Sequence, residues 1–261
     1  MPGFCPLSTT HKWPEKSQYP CGFRAFLPTY PLCFYTKYDK KIKYIEGSGQ
    51  TKWASGLLIK MVQIERLIMK LFFDTEFTGL TQDTTLVSIG LVSEDNRTFY
   101  AEFTDYSKMQ VSEWIKDNVI SNLHWFTKQS ERLYIPNYHL GTKETIKESL
   151  ANWFSQFDTV ELVSDVSHYD MILLINIFGT PFDLPKNVAP CCHDINQDIA
   201  DHYKICERDA FDMPRDKILY DKYLEHKITG NQHNAMYDAK VVREIYQIVK
   251  GIDFSKIYHL N

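Results

Sequence analysis

The segment Leu71-Phe72-Phe73-Asp74-Thr75-Glu76-Phe77 places two carboxylates two residues apart inside an apolar, aromatic run. Such a run reads as a central strand, and residues i and i+2 of a strand point to the same face. Asp74 and Glu76 therefore project side by side from a buried element. Adjacent anions in a low-dielectric setting repel, and each is costly to desolvate unless a cation compensates. A divalent metal held by oxygen ligands is the cation that suits such a pair. A chain containing this segment is constrained to bring further ligands to the same place.

The surrounding pattern is that of a layered α/β domain. Residues 69–75, 84–93 and 98–104 read as strands, the last two joined by the turn Glu94-Asp95-Asn96-Arg97. Their close spacing predicts an antiparallel meander. Helical periodicity follows at about 110–120 and 143–157, the latter with Ile146, Leu150, Trp153 and Phe154 on one stripe. A short strand over 160–164, a helix from Tyr169 to Phe178 and a weak strand near 187–192 come next. Helices at about 194–206, 215–226 and 235–250 complete the chain. Strands followed by alternating helices and strands predict a mixed, five-stranded sheet flanked by helices.

Residues 1–68 differ in character. They carry 10 Lys+Arg against 4 Asp+Glu, whereas the remainder carries 19 against 29, a net charge of −10. Residues 1–50 also hold six prolines, three cysteines and little periodicity. One amphipathic helix is predicted over 53–68, and Met69-Lys70-Leu71 has the look of a natural start. Residues 1–68 are therefore expected to be an accessory or non-native extension, and 69–261 the functional domain. Intact-mass analysis of protein made from its native gene separates these two readings of the extension. The acidic balance of 69–261 argues against a passive nucleic-acid-binding surface. It argues less against a nuclease, whose bound metals supply positive charge at the phosphate. No run of 18 apolar residues appears, so no membrane span is expected. The six cysteines form no CxxC pair, which points to a reducing, cytoplasmic setting. A zinc site from Cys5, His11, Cys21 and Cys33 has a spacing that fits no common pattern.

Two more carboxylates occupy core-facing positions. Asp238 is the one anion on the stripe Ala235, Asp238, Val242, Ile245, Val249. Asp170 shares its helix face with Leu173, Leu174 and Ile177. A carboxylate on such a stripe is costly unless paired or metal-bound. Asp165 follows the short strand, where a turn would leave it partly solvated; it stays as an alternative ligand. His233 precedes Asp238 by five residues, close enough to hang over the same site, and a near-neutral pKa suits a general base. Taken singly, Asp-x-Glu and His-x-x-x-x-Asp are common by chance; a helix-start acid such as Asp170 is also favoured by the helix dipole alone. His168, His193 and His202, like Trp114, Trp125 and Trp153, are expected to serve packing or surface roles.

The ordered set carries more weight. Asp-x-Glu on a first strand, Tyr169-Asp170 opening a helix, and His233-x-x-x-x-Asp238 resemble the DEDDh superfamily of 3′-to-5′ exonucleases, whose fold is ribonuclease H-like. Phe72-Phe73-Asp74-Thr75-Glu76-Phe77, Leu86-Val87-Ser88-Ile89-Gly90-Leu91-Val92-Ser93 and Ser164-Asp165-Val166-Ser167-His168-Tyr169-Asp170 are similar to its compact bacterial and phage exoribonuclease branch, typified by a mycobacterial enzyme. The resemblance covers roughly 69–250. Asp165-Val166-Ser167-His168-Tyr169-Asp170 departs from the His-Asn-Ala-x-Phe-Asp of many relatives, which weakens any inference to DNA proofreading.

The resemblance implies metal-dependent hydrolysis of the terminal phosphodiester of single-stranded RNA, releasing nucleoside 5′-monophosphates. Two Mg²⁺ or Mn²⁺ ions are implied, with Asp74 bridging both, Glu76 and Asp238 completing the first site and Asp170 supporting the second. His233 is then the general base. Phe77, Thr78 and Leu80 are the implied substrate contacts, with Gly79 allowing close backbone approach. The expected partners are single-stranded RNA or DNA 3′ ends, with a homodimer as one possible assembly. Two alternatives stay open: a DNA 3′-5′ exonuclease, and a non-catalytic nucleic-acid-binding module that has kept the fold.

Overall fold

The computed structural model describes residues 68–125, 135–220 and 228–259. The helix expected over 53–68 lies outside them except for Ile68, which already belongs to the first strand. The Cys5, His11, Cys21 and Cys33 grouping also lies outside, as does the end of the helix expected over 215–226. Along the described chain run β1 (Ile68–Phe77), β2 (Leu86–Ser93), β3 (Thr98–Phe103), α1 (Glu113–Asn118), β4 (Tyr138–Gly141) and α2 (Lys143–Phe154). Then follow β5 (Thr159–Ser164), α3 (His168–Phe178), β6 (Val188–Asp194), α4 (Ile195–Tyr203), α5 (Glu207–Phe211), α6 (Arg215–Tyr220), α7 (Ala235–Lys250) and α8 (Phe254–Tyr258). None of the described helices is long and apolar enough to cross a membrane.

The sheet has six strands in the order β4-β3-β2-β1-β5-β6, one more than the sequence predicts. The meander β1-β2-β3 is antiparallel, whereas β4, β5 and β6 pair parallel to their neighbours. The unpredicted strand is β4. It is four residues long, sits at the sheet edge and is only partly buried, so Tyr138-His139-Leu140-Gly141 carries no period-2 alternation to read.

Alternation along β1 divides two cores. Leu71 and Phe73 pack on one face against Ile146, Leu150 and Phe154 of α2 and Leu174 and Ile177 of α3. Phe72 packs on the other against Ile195 and Ile199 of α4 and Ala239, Val242 and Ile245 of α7. Each large apolar side chain so buried contributes about 1.5–3 kcal/mol. Asp74 and Glu76 share the Phe72 face and so lie on the α7 side of the sheet.

Helix α7 starts at a fixed point. Asn234 caps it, its side chain accepting from Met236 N (3.2 Å) and Tyr237 N (3.3 Å). It ends at Gly251, which at φ 63° takes the left-handed conformation that glycine tolerates. The first turn presses on the sheet at Gly90, the cross-strand partner of Asp74. A Cβ on Gly90 would stand 2.3 Å from the Ala235 carbonyl oxygen. The bare backbone at this one position lets α7 descend beside Asp74.

Candidate active site

Three elements converge at the C-terminal end of β1. The strand supplies Asp74 and Glu76, α7 supplies Asp238, and α3 brings Asp170 from the opposite layer. Asp74, Glu76 and Asp238 each offer a carboxylate oxygen, and those oxygens all lie within 4.8 Å of one another. Ligand oxygens sit about 2.0–2.6 Å from Mg²⁺ or Ca²⁺-sized ions, so these three carboxylates stand close to the separation at which they could hold one ion. The donor set, all carboxylate oxygen, fits a hard divalent cation rather than zinc.

Asp170 is held differently. Pairing between β1 and β5 ends at Phe72 and Val163. Beyond that point the Thr75 N–H donates to Asp170 Oδ1 (3.1 Å), and the Thr75 hydroxyl donates to the same oxygen (2.5 Å). Ser164 at the end of β5 donates to Oδ2. Asp170 therefore stands beside the three-carboxylate cluster, buried and locked by both oxygens.

The electrostatics follow from this crowding. Burial, and then the charges of Asp170, Asp238, Glu76 and Asp165, push Asp74 well above the ordinary carboxylate range. Burial and the Asp238 and Asp170 charges raise Glu76 to about 8. Burial raises Asp238 to about 7, although the backbone N–H groups of His233 and Asn234 oppose the shift. Asp170 rises only to about 6, because Ser164 and Thr75 donate to its charged form. Buried anions crowded to this degree call for a cation.

Asp165, the alternative ligand, is already paired. Arg215 grips it in a two-pronged contact, Nε to Oδ2 at 2.5 Å and an Nη to Oδ1 at 2.8 Å. Asn196 donates to it as well (2.9 Å). It lines the cavity but is not one of the three clustered carboxylates.

His233 lies on the wall of the same cavity, which has a volume of about 500 Å³. Its backbone N–H donates to Asp238 Oδ2 (2.8 Å), so the positions of His233 and Asp238 are tied by one hydrogen bond. Its backbone is left-handed, φ 63°. Partial burial lowers the imidazole pKa below its ordinary value, which keeps the ring neutral and able to accept a proton near pH 7.

Phe77 and Leu80 also line the cavity, Leu80 with 78% of its surface exposed. Thr78 does not. Its hydroxyl is buried among Gln110 Oε1 (2.8 Å), Thr85 N (2.9 Å) and Thr85 Oγ1 (3.1 Å). Thr78 therefore fixes the loop that carries Leu80, and its side chain is not among those that line the cavity. The reason lies in local chemistry: a threonine followed by Thr84 and Thr85 finds hydroxyl and amide partners within its own loop.

Sequence reasoning missed three wall residues. Tyr169 stacks on Phe77, ring centroids 5.1 Å apart. Trp114 meets the His233 ring edge-on at 5.1 Å and keeps 54% of its surface exposed. Arg215 neutralises Asp165. Only Trp114 left a signal: α1 buries Ile115 alone, and a residue adjacent to it in a helix points off the core stripe.

A family model described as the 3′-5′ exoribonuclease Rv2179c-like domain matches residues 69–249. The chain is 28% identical over 135 residues to the 3′-5′ exoribonuclease Rv2179c of Mycobacterium tuberculosis strain H37Rv, spanning 49% of this chain and 73% of that protein. The same figures hold for the 3′-5′ exoribonuclease MT2234.1 of strain CDC 1551. Among solved structures, a 3′-exonuclease seen in 3′-end recognition of a histone mRNA stem-loop aligns with a TM-score of 0.50 at 13% identity, over 77% of this chain and 73% of that one. That likeness is one of fold, and the mixed sheet with its flanking helices is ribonuclease H-like. With the family model spanning the strand that bears Asp74 through the helix that bears Asp238, the chain belongs to the Rv2179c-like 3′-5′ exoribonuclease domain family.

Proposed function

We propose that this domain removes nucleotides from the 3′ end of single-stranded RNA by metal-dependent hydrolysis, releasing nucleoside 5′-monophosphates. The observation that carries the reading is the cluster of Asp74, Glu76 and Asp238 oxygens within 4.8 Å of one another, with His233 on the same cavity wall. The choice of RNA rests on the family and on the named activity of the mycobacterial relative.

Asp74, Glu76 and Asp238 would hold the divalent ions, Mg²⁺ or Mn²⁺. Asp170, whose Oδ2 keeps a spare lone pair beyond the bond from Ser164, would support a second ion through water. Such ions, when bound, acidify a water and offset charge at the phosphate. His233, neutral near pH 7, takes the proton of the attacking water. Asp238, accepting from the His233 N–H, keeps that histidine's backbone beside the ligand cluster. Phe77, Leu80 and Trp114 present apolar surface against which bases can stack.

The test is a gel assay with the full chain, Mg²⁺ or Mn²⁺, and 5′-labelled single-stranded RNA and DNA of one sequence. The expected result is a metal-dependent ladder shortening from the 3′ end, faster on RNA and absent for Asp74→Ala. A faster DNA ladder would reassign the substrate. Metal binding with no ladder on either strand would make the domain a binding module.

A further inference from the structure

We propose that Glu102 is a positioning residue for His233, acting through Tyr100 and Asn234; the inference rests on the reading of His233 as the base. Glu102 lies in β3, outside the ligand cluster, yet only 1% of it is exposed. A carboxylate this deep is costly unless several donors converge on it. The Tyr100 hydroxyl donates to Oε1 (2.7 Å), the Tyr138 hydroxyl to Oε2 (2.9 Å) and the Trp125 N–H to Oε2 (3.1 Å). The His124 N–H also donates to Oε1.

The consequence runs back to the site. Asp74, Gly90 and Tyr100 form one cross-strand row over β1, β2 and β3. The first turn of α7 fits over the gap at Gly90, and the Tyr100 ring packs with Ala235 and Met236. Because the Tyr100 proton goes to Glu102, the phenol oxygen presents its lone pairs to Asn234, whose Nδ2 donates to it (3.1 Å). The same Nδ2 donates to the Asn122 carbonyl (2.9 Å). With both amide protons so used, Oδ1 is the atom turned towards Met236 N and Tyr237 N. Asn122 in turn donates to the Gln232 carbonyl (2.9 Å). His233 is thus bracketed by anchored neighbours on both sides. Its left-handed backbone is sparsely populated for a residue with a Cβ, and the bracket holds it there. The carboxylate sets the direction of this chain of donors, and the direction fixes where the imidazole stands.

Tyr100→Phe is the decisive variant, since it keeps the packed ring and deletes only the hydroxyl. On a short single-stranded RNA we expect kcat to fall roughly tenfold or more, as small misplacements of a reacting group do, with KM and calorimetric Mn²⁺ affinity unchanged. In a His233→Ala background, itself slower by about 10²–10⁴ if His233 is the base, adding Tyr100→Phe should cost nothing further. Glu102→Gln should follow the same pattern wherever circular dichroism shows it folded. Wild-type kcat for Tyr100→Phe overturns the proposal. So does an undiminished loss in the His233→Ala background, or a weakened Mn²⁺ affinity, because the network would then act on the fold or the ligands. If His233→Ala itself turns over at the wild-type rate, the base reading falls and the proposal with it. A slow His233→Ala beside an unimpaired Tyr100→Phe sinks the proposal alone.

Discussion

Asp238 is asked to serve two opposed ends. It completes the oxygen cluster, and without a cation it adds one more charge to a place that already resists Asp74 and Glu76. Asp238→Asn should therefore abolish hydrolysis yet stabilise the metal-free domain, by about 1–3 kcal/mol at pH 8. The asparagine oxygen can still accept from the His233 N–H, so the loop keeps its anchor. Thermal unfolding in EDTA, set beside the ladder assay, tests both halves; an unchanged or lower melting temperature would show that the acids do not strain the fold. The four carboxylates of the ordered motifs were legible because each breaks a rule of burial, and His233 through its five-residue spacing from Asp238. Asp74 and Glu76 interrupt an aromatic strand, and Asp170 and Asp238 sit on apolar stripes. The inward turn of the Thr78 hydroxyl was not legible, because a threonine beside a motif gives no sign of which way its hydroxyl turns. Arg215 was invisible, since its partner Asp165 lies 50 residues away in sequence.

At the scale of elements, helices α2, α3 and α7 announced themselves through a 3.6-residue period and clear ends. The short α5 and α8 and the edge strand β4 did not, having too few residues to establish any period. What no periodicity reveals is how close two elements come. Gly90→Ala puts a methyl group 2.3 Å from the Ala235 carbonyl oxygen, against backbone that cannot swing aside. We expect a loss of about 3 kcal/mol in denaturant unfolding and a marked fall in activity, because α7 carries Asp238 and follows directly on His233. Near-native stability together with full activity would show that the helix can lift without cost.

For the molecule as a whole, the acid cluster sets a pH dependence of unusual sign. Asp170, Asp238 and Glu76 rise to about 6, 7 and 8 in the folded chain, from ordinary values near 4. Between about pH 4 and pH 8 the folded domain thus binds more protons than the unfolded chain. Its metal-free stability should fall as pH rises through that window, and below pH 4, where both states are protonated, the penalty vanishes. Melting curves in EDTA from pH 5 to pH 8 should show the decline, and Mn²⁺ should restore more stability the higher the pH; a flat EDTA profile would contradict it. The layered α/β architecture was legible at this scale because the order of strands and helices alone restricts the ways a sheet can be covered. The closeness of α7 to that sheet has a bearing on how other sequences are judged. A chain could spell out every acid and the histidine, carry alanine or serine at the place of Gly90, and hold its ligands too far apart to share an ion. Counting motif letters would accept that chain as a nuclease. A residue with no functional group at all is the better witness to whether the letters meet.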